Sequence, residues 1–156
     1  MSHLKDAIGE LNAYTASLRI AHWKANTVTN EHKTLGDLYD SMSDLVDSFA
    51  ETYMGHYGSE KIIIPAKPII DVSGSPVRRG CEIVDYIRSE LKMGEEDDLL
   101  NIVADMQGAL NKARYLLKEP VAKEYKPKEE PFDEDEDESE GTMDYKEIMR
   151  NAISKM

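Results

Sequence analysis

The stretch that decides the fold runs from Leu18 to Glu51 and opens with Leu18-Arg19-Ile20-Ala21-His22-Trp23. A polar break, Asn26-Thr27-Val28-Thr29-Asn30, follows, and a second pattern then runs from Glu31-His32 to Asp47-Ser48-Phe49-Ala50-Glu51. Because β-branched residues and Asn disfavour helix interiors, the break predicts the end of one helix and the start of another. Long helices joined by a few residues are expected to pack antiparallel.

The second of these helices has two opposed stripes. Four carboxylates are spaced 4, 3 and 4 residues apart, which places them in one narrow line on a helix. They are Asp40, Asp44, Asp47 and Glu51. An apolar stripe lies on roughly the opposite side. It consists of Leu35, Leu38, Met42, Leu45 and Phe49. The acidic stripe therefore faces away from the core of its own chain. Such a stripe is most often a helix face in contact with water, and we keep this interpretation for Asp40 and Asp44.

His22 continues the apolar stripe of the first helix, which is formed by Leu4, Ile8, Leu11 and Leu18. A lone histidine in such a seam is more often a satisfied structural residue than a ligand. Beside an acidic stripe it also becomes a candidate metal ligand, provided that the fold brings the two together.

Composition limits the class of protein. The chain has 156 residues, the length of one domain, and a net charge of −12. Nine acids without a base fall in the segment 129–140, so the rest is close to neutral and generic DNA binding is not expected. The single cysteine, Cys81, excludes an internal disulfide and suits a reducing compartment. With no signal peptide or membrane span visible, we expect a cytoplasmic protein without membrane contact.

The remaining pattern completes an all-α fold. Ser2 is a candidate cap for a first helix that ends near Ala25, and Gly58 is a stop for the second. The segment Ile62–Ile70 contains two prolines and no helical period, which predicts an extended crossover whose isoleucines cover an open end of the helices. Ser75-Pro76 begins a third helix that we expect to end at Gly94.

The fourth helix is predicted to open with Glu95-Glu96-Asp97-Asp98 and to close before Pro120. The fold class is thus a ferritin-like four-helix bundle over residues 1–119, with one long crossover after helix two. Residues 120–141 are predicted to be an acidic disordered linker, and residues 142–156 a short amphipathic C-terminal helix that docks back or binds a protein partner.

Residues 11–55 resemble the first two helices of Dps proteins, the mini-ferritins that bind and oxidise iron. The family's His-Trp near the end of helix one is His22-Trp23 here, and its second histidine aligns with His32. Its aspartate and glutamate, fifteen and nineteen residues further on, align with Asp47 and Glu51 within Leu45-Val46-Asp47-Ser48-Phe49-Ala50-Glu51. Divergent members of the family occur in bacteriophage genomes. The resemblance is therefore also compatible with a bacteriophage-encoded protein that acts in the cytoplasm of its host.

The resemblance implies a metal site formed by His22, His32, Asp47 and Glu51, with iron as the metal. In the family the histidines of one subunit face the carboxylates of another across a two-fold interface. It therefore also implies a homo-oligomer through helices one and two, and a ferroxidase if the site is complete.

The chain departs from the family pattern at three places. Gly36 stands where the family has an aspartate four residues after its second histidine, and the link between the histidines is two residues shorter. The basic DNA-binding tail is absent, and the tail here is acidic. These departures favour a second hypothesis, a non-catalytic ferritin-like scaffold that acts through its oligomer and tethers a partner with residues 129–156.

Overall fold

The computed structural model describes residues 2–58 and 62–121. It contains four α-helices, α1 Ser2–Lys24, α2 Asn30–Tyr57, α3 Pro76–Glu90 and α4 Asp97–Leu117. No strand occurs in the described residues, which confirms the all-helical prediction. Apart from Pro120 and Val121, the predicted linker and the predicted terminal helix lie outside the described part of the chain.

Local signals set most helix ends. The Thr29 hydroxyl accepts a hydrogen bond from the His32 amide at 3.3 Å and so caps α2. At the other end, Gly58 has φ 85° and its amide donates to the Met54 carbonyl at 2.8 Å. Such a positive φ suits a residue without a side chain. The predicted bounds of α1 and α2 are thus confirmed to within a residue.

The predicted end of α3 at Gly94 is wrong, because the helix ends at Glu90. Leu91 adopts an extended backbone and is buried, which turns the chain out of the helix. The Glu96 carboxylate then accepts a hydrogen bond from the Lys92 amide at 2.8 Å and closes the turn between α3 and α4. Gly94, with φ 85°, lies inside this turn.

Contacts between the helices establish their directions. The start of α2 meets the end of α4 where the Asn30 side-chain amide donates to the Leu116 carbonyl at 3.0 Å. The end of α2 meets the start of α4 where His56 bonds Asp98 at 2.8 Å. These two helices are therefore antiparallel.

The third helix runs against the first. The Tyr14 hydroxyl donates to the Pro76 carbonyl at 2.6 Å, and Arg79 pairs with Glu10 at 3.0 Å, so moving forward along α3 means moving back along α1. Helices α1 and α2 are antiparallel as well, because the His22 ring lies against Gly36, whereas Arg19, one turn earlier on α1, lies 5.4 Å from the ring centroid of Tyr39, one turn later on α2. Helices α2 and α3 therefore point the same way. The segment that joins them must span the length of the helices.

That crossover lies along α1. A Cβ atom on Gly9 would collide with the Pro65 carbonyl oxygen, so only glycine lets the crossover pack this closely. Lys67 pairs with Asp6 at 2.7 Å near the start of α1, and Asp71 pairs with Lys24 at 2.8 Å at its end.

The crossover isoleucines do not form the predicted cover. Ile62 and Ile64 are half-buried against the core, but Ile63 is 83% exposed, and Ile69 and Ile70 are also exposed. The reason is that the segment runs beside α1, with several of its side chains turned to solvent, instead of passing over an end.

One hydrophobic core joins the four helices, which belong to one compact unit. The predicted stripe of α1 is buried except at its end, where His22 is half-buried. On α2, Val46 is buried in place of the predicted Leu45, which is only half-buried. Helices α3 and α4 also bury one face each. None of the described helices combines the length and apolar character needed to cross a membrane.

Candidate metal centre

His22 and His32 meet where α1 ends and α2 begins. His22 lies in the last turn of α1 and His32 in the first turn of α2, with five residues between the helices. The Thr29 cap fixes the direction in which α2 leaves this turn. The two imidazole rings stack with centroids 3.9 Å apart and planes inclined by 28°. The structure therefore brings together the two predicted histidine ligands.

The two histidines also form reciprocal hydrogen bonds. Nδ1 of His22 lies 2.8 Å from the His32 carbonyl oxygen, and Nδ1 of His32 lies 3.0 Å from the His22 carbonyl oxygen. A carbonyl only accepts, so each neutral ring must carry its proton on Nδ1. In the neutral form, Nε2 then keeps its lone pair on both rings, which is the state in which a histidine binds a metal.

One of these bonds also caps a helix. The last carbonyls of a helix have no partner within it, and the His22 carbonyl belongs to the last turn of α1. The His32 ring supplies the missing donor. The pair thus stabilises the junction between the helices whether or not a metal binds.

Gly36 lies directly beneath the His22 ring. An ideal Cβ atom at this position would lie 2.9 Å from Cε1 and 3.1 Å from Nδ1 of His22, and its three nearest atoms all belong to that ring. Position 36, where the resemblance would place an aspartate, is therefore filled by the imidazole of the first histidine.

The surroundings of the pair are polar and open. His22 and Gly36 line a depression of about 380 Å³ together with Asp37 and Asp40. At its edge the Arg19 guanidinium lies 5.5 Å from the Trp23 ring centroid and 5.4 Å from that of Tyr39. Trp23 is 67% exposed and so is not a core residue.

The predicted carboxylate ligands are further along α2. Asp47 and Glu51 are exposed, and neither side chain forms a hydrogen bond or an ion pair with the residues that the structure describes. Asp47 lines a groove of about 740 Å³ between α1, α2 and the crossover, in which Arg19 and Lys67 are the basic residues. The prediction that this stripe faces away from the core is confirmed.

A single chain does not bring the histidines and these carboxylates together. At 1.5 Å per residue, His32 and Asp47 are about 22 Å apart along α2, and His32 and Glu51 about 28 Å. Within residues 2–58 and 62–121, no cluster of three or more His, Cys, Asp or Glu side chains is arranged to hold a metal ion. Any site that uses all four predicted ligands must therefore be formed by two chains.

The opposite end of α2 carries a second polar cluster that the sequence did not reveal. Glu96 is only 5% exposed, and its carboxylate accepts hydrogen bonds from the Tyr57 hydroxyl and the Lys92 amide. The bond to Glu96, helped by burial, raises the pKa of Tyr57 to about 12. Beside it, the hydrogen bond from His56 lowers the pKa of Asp98. Every strong acceptor here has a partner in the described chain, so the cluster is structural.

Cys81 lies between α3 and α4 in a groove of about 750 Å³. Its sulfur lies 2.8 Å from Arg114 Nη2 and 3.7 Å from Gln107 Nε2. Burial raises the pKa of the thiol, and this outweighs the lowering effect of both neighbours. The thiol is therefore protonated near neutral pH and poorly nucleophilic.

Comparison with known families assigns the chain to a class without an established activity. The fold and the site define a four-helix protein with a stacked histidine pair at the first helix junction. Residues 22–117 match a family described as "Family of unknown function (DUF5856)", and because the match covers more than half of the chain, the protein belongs to that family. A comparison with curated proteins gave no match, and neither did one with solved structures.

Proposed function

We propose that this protein is a Dps-like, iron-binding oligomer that takes Fe(II) as its substrate. His22 and His32 of one chain would bind the metal together with Asp47 and Glu51 of the partner subunit. Imidazole and carboxylate ligands together suit iron. A complete site would oxidise Fe(II) with oxygen or peroxide as the electron acceptor, which would make the protein a ferroxidase.

The observation that carries this proposal is the reciprocal hydrogen bonding of the two histidines. Both Nδ1 atoms are used by backbone carbonyls, at 2.8 Å and 3.0 Å, so both Nε2 atoms remain as donors for a metal. In metal sites, a bond of this kind on the second ring nitrogen fixes the tautomer and the orientation of the ligand. A merely structural pair would need only one of the two bonds to cap α1.

The exposed face of α2 supports a two-chain site. If two α2 helices pack antiparallel around an axis near residues 40–41, His32 of each chain comes beside Asp47 and Glu51 of the partner subunit. The three residues lie within about 100° of one another around the helix, because each residue advances by about 100°. A two-fold dimer is also the commonest symmetric assembly. We therefore propose a homo-oligomer built on α1 and α2.

The helix order supports the ferritin-like part of the proposal. A long crossover between the second and third helices, with α2 and α3 parallel, is the connection expected for a ferritin-like bundle. Gly36 counts against full identity with the Dps site, since its position offers no carboxylate.

Paired double substitutions test the site. Asp47→Ala with Glu51→Ala should abolish saturable Fe(II) binding and leave the fold intact, because both side chains are exposed. Asp85→Ala with Asp105→Ala removes the same charge from exposed positions on α3 and α4, away from the proposed interface, and should preserve binding. Anaerobic Fe(II) titration of the three proteins, with native mass measured alongside, distinguishes a specific site from general attraction by acids. Wild-type protein that binds no Fe(II), or that stays a single chain at micromolar concentration with metal supplied, contradicts the proposal.

Gly36 favours a second function, a non-catalytic scaffold. With no carboxylate at this position, the described part of one chain holds no three-ligand cluster. The oligomer and the acidic segment 129–156 would then be the functional parts, and the segment would bind a protein partner. An oligomer without Fe(II) binding would support this function over the first.

In both cases we propose a cytoplasmic protein that does not bind DNA directly. Affinity for DNA comes mainly from several Lys or Arg contacts to phosphates. Here the net charge is −12. A gel shift by the full-length protein at low salt that is lost when residues 129–156 are removed would contradict this.

A further inference from the structure

We propose that Gly36 is a positioning residue for the histidine pair, because the missing side chain leaves the space in which the His22 ring stacks on His32. The metal-binding consequence rests on the proposed function. The structural part rests only on the geometry of the junction between α1 and α2.

The steric argument is direct. A Cβ atom on residue 36 would approach His22 Cε1 to 2.9 Å and Nδ1 to 3.1 Å. The smallest possible side chain would therefore push the ring at the same nitrogen that donates to the His32 carbonyl. The ring cannot move away from Gly36 without changing its stack on His32, whose centroid is 3.9 Å away.

Helix stability alone would favour a different residue at this position. Glycine in a helix interior is less favourable than alanine, because it loses more conformational freedom on folding. Gly36 has the φ of an ordinary helical residue, so alanine would fit the backbone. What excludes a side chain is the imidazole of His22, to which all three of the nearest atoms belong.

The same helix offers a matched control. Gly55 also lies within α2, and a Cβ atom there would meet nothing within 4 Å. Gly55→Ala therefore changes helix propensity as Gly36→Ala does, without touching the histidines.

The consequence for the metal is that the ligand orientation depends on residue 36. Groups that only orient a ligating histidine change metal affinity by about 10- to 100-fold when they are altered. Gly36→Ala should weaken Fe(II) binding by a factor in this range, and Gly55→Ala should leave it unchanged. The effect should appear in the full-length protein titrated with Fe(II) without oxygen.

A spectroscopic measurement tests the positioning without any metal. Long-range ¹H–¹⁵N spectra of the histidine rings distinguish the two neutral tautomers. In the wild type, both His22 and His32 should be protonated on Nδ1. In Gly36→Ala the His22 signal should shift towards a mixture, and in Gly55→Ala it should not. If wild-type protein binds no Fe(II) but shows this change, the proposed function fails and the positioning role stands.

A double substitution separates positioning from a general defect. Gly36→Ala should lower the Tm of the wild type. In a His22→Ala background, the ring that excludes the side chain is gone, so the same change should raise the Tm or leave it unaltered. Gly36→Ala that retains both the wild-type tautomer and the wild-type Fe(II) affinity would overturn the proposal. A double variant that is less stable than His22→Ala, or that does not fold, would overturn it as well.

Discussion

Polar side chains connect both ends of α2 to neighbouring segments. The histidine joint (His22 and His32) and the Glu96 joint (Glu96, Tyr57 and Lys92) differ in whether all of their polar atoms are hydrogen-bonded. At the start, Nδ1 of each histidine bonds the backbone carbonyl of the other, so Nε2 of each neutral ring keeps its lone pair. At the end, the Glu96 carboxylate is buried, and its two oxygens accept from Tyr57 and from the Lys92 amide.

This difference distinguishes a joint that can bind a metal from one that only stabilises the fold. A buried carboxylate whose two oxygens already accept hydrogen bonds is not free to bind a ligand. Removing it leaves the partly buried donors on Tyr57 and Lys92 without their acceptor. A neutral imidazole whose N–H donates to a carbonyl still has a lone pair on its other nitrogen. We therefore expect substitutions at the Glu96 joint to affect stability, and substitutions at the histidine joint to affect metal binding.

Glu96→Ala should have the largest effect on stability. It leaves the Tyr57 hydroxyl and the Lys92 amide without their acceptor, and unmade bonds of this kind cost about 2–3 kcal/mol. Glu95→Ala, on the exposed neighbouring residue, is the control and should change the free energy of unfolding by less than about 0.5 kcal/mol. Urea unfolding measures both. Equal stability of the two variants would show that the Glu96 joint is not structural.

Tyr57→Phe should have a smaller effect, which depends on pH. At neutral pH it removes one bond to a charged acceptor, worth about 1.5–2 kcal/mol. Because the pKa of Tyr57 is raised from 10.0 to about 12 in the folded chain, this stabilisation is fully present below pH 10 and is lost between pH 10 and pH 12.

The difference in stability between wild type and Tyr57→Phe should therefore close as the pH rises through this interval. Tyr14 and Tyr53, whose pKa values burial also raises, are present in both proteins and cancel in the comparison. A difference that stays constant up to pH 12 would contradict the assigned bond.

His32→Ala should have the smallest effect on stability and the largest effect on Fe(II) binding. The His22 carbonyl that loses its donor lies near the helix end, where water can replace it, so the expected cost is about 1 kcal/mol. Fe(II) binding should disappear, whereas Glu96→Ala should keep it in the folded fraction. His3→Ala, on the exposed first turn of α1, is the control for a lost histidine. Retention of Fe(II) binding by His32→Ala would move the site elsewhere.

Local pattern was enough to predict most of the fold. Thr29 and Gly58 terminate α2 by bonds to residues within the same turn, so their effect can be predicted from neighbours in sequence. Pro76 begins α3 through its fixed φ, which is also local, but Ser75 forms no capping bond. The Val77 and Arg78 amides donate instead to the carboxylate of Glu119, 42 and 41 residues later, and no local pattern predicts that contact. The end of α3 was misplaced because Gly94 has the expected positive φ but serves the following turn, which depends on Leu91 entering the core.

The sequence selected the candidate ligands, and the structure added how the two histidines are arranged. Spacing and resemblance selected His22, His32, Asp47 and Glu51, and the exposure of both carboxylates follows from helical periodicity. Nothing in the sequence distinguished Glu96 from the three other acids in the run 95–98. Its burial arises because Tyr57, 39 residues earlier, is brought beside it by the packing of the end of α2 against the turn before α4.

The sequence by itself determined the four helices, their buried faces and the outward-facing carboxylate stripe, because these depend on caps and on a 3.6-residue period within each segment. Only the tertiary structure decided that two histidines stack, that Gly36 makes room for one of them, and that Glu96 is buried. These features depend on distances between side chains of different helices. Such distances are set by how close the helices pack, which no pattern within a single helix contains.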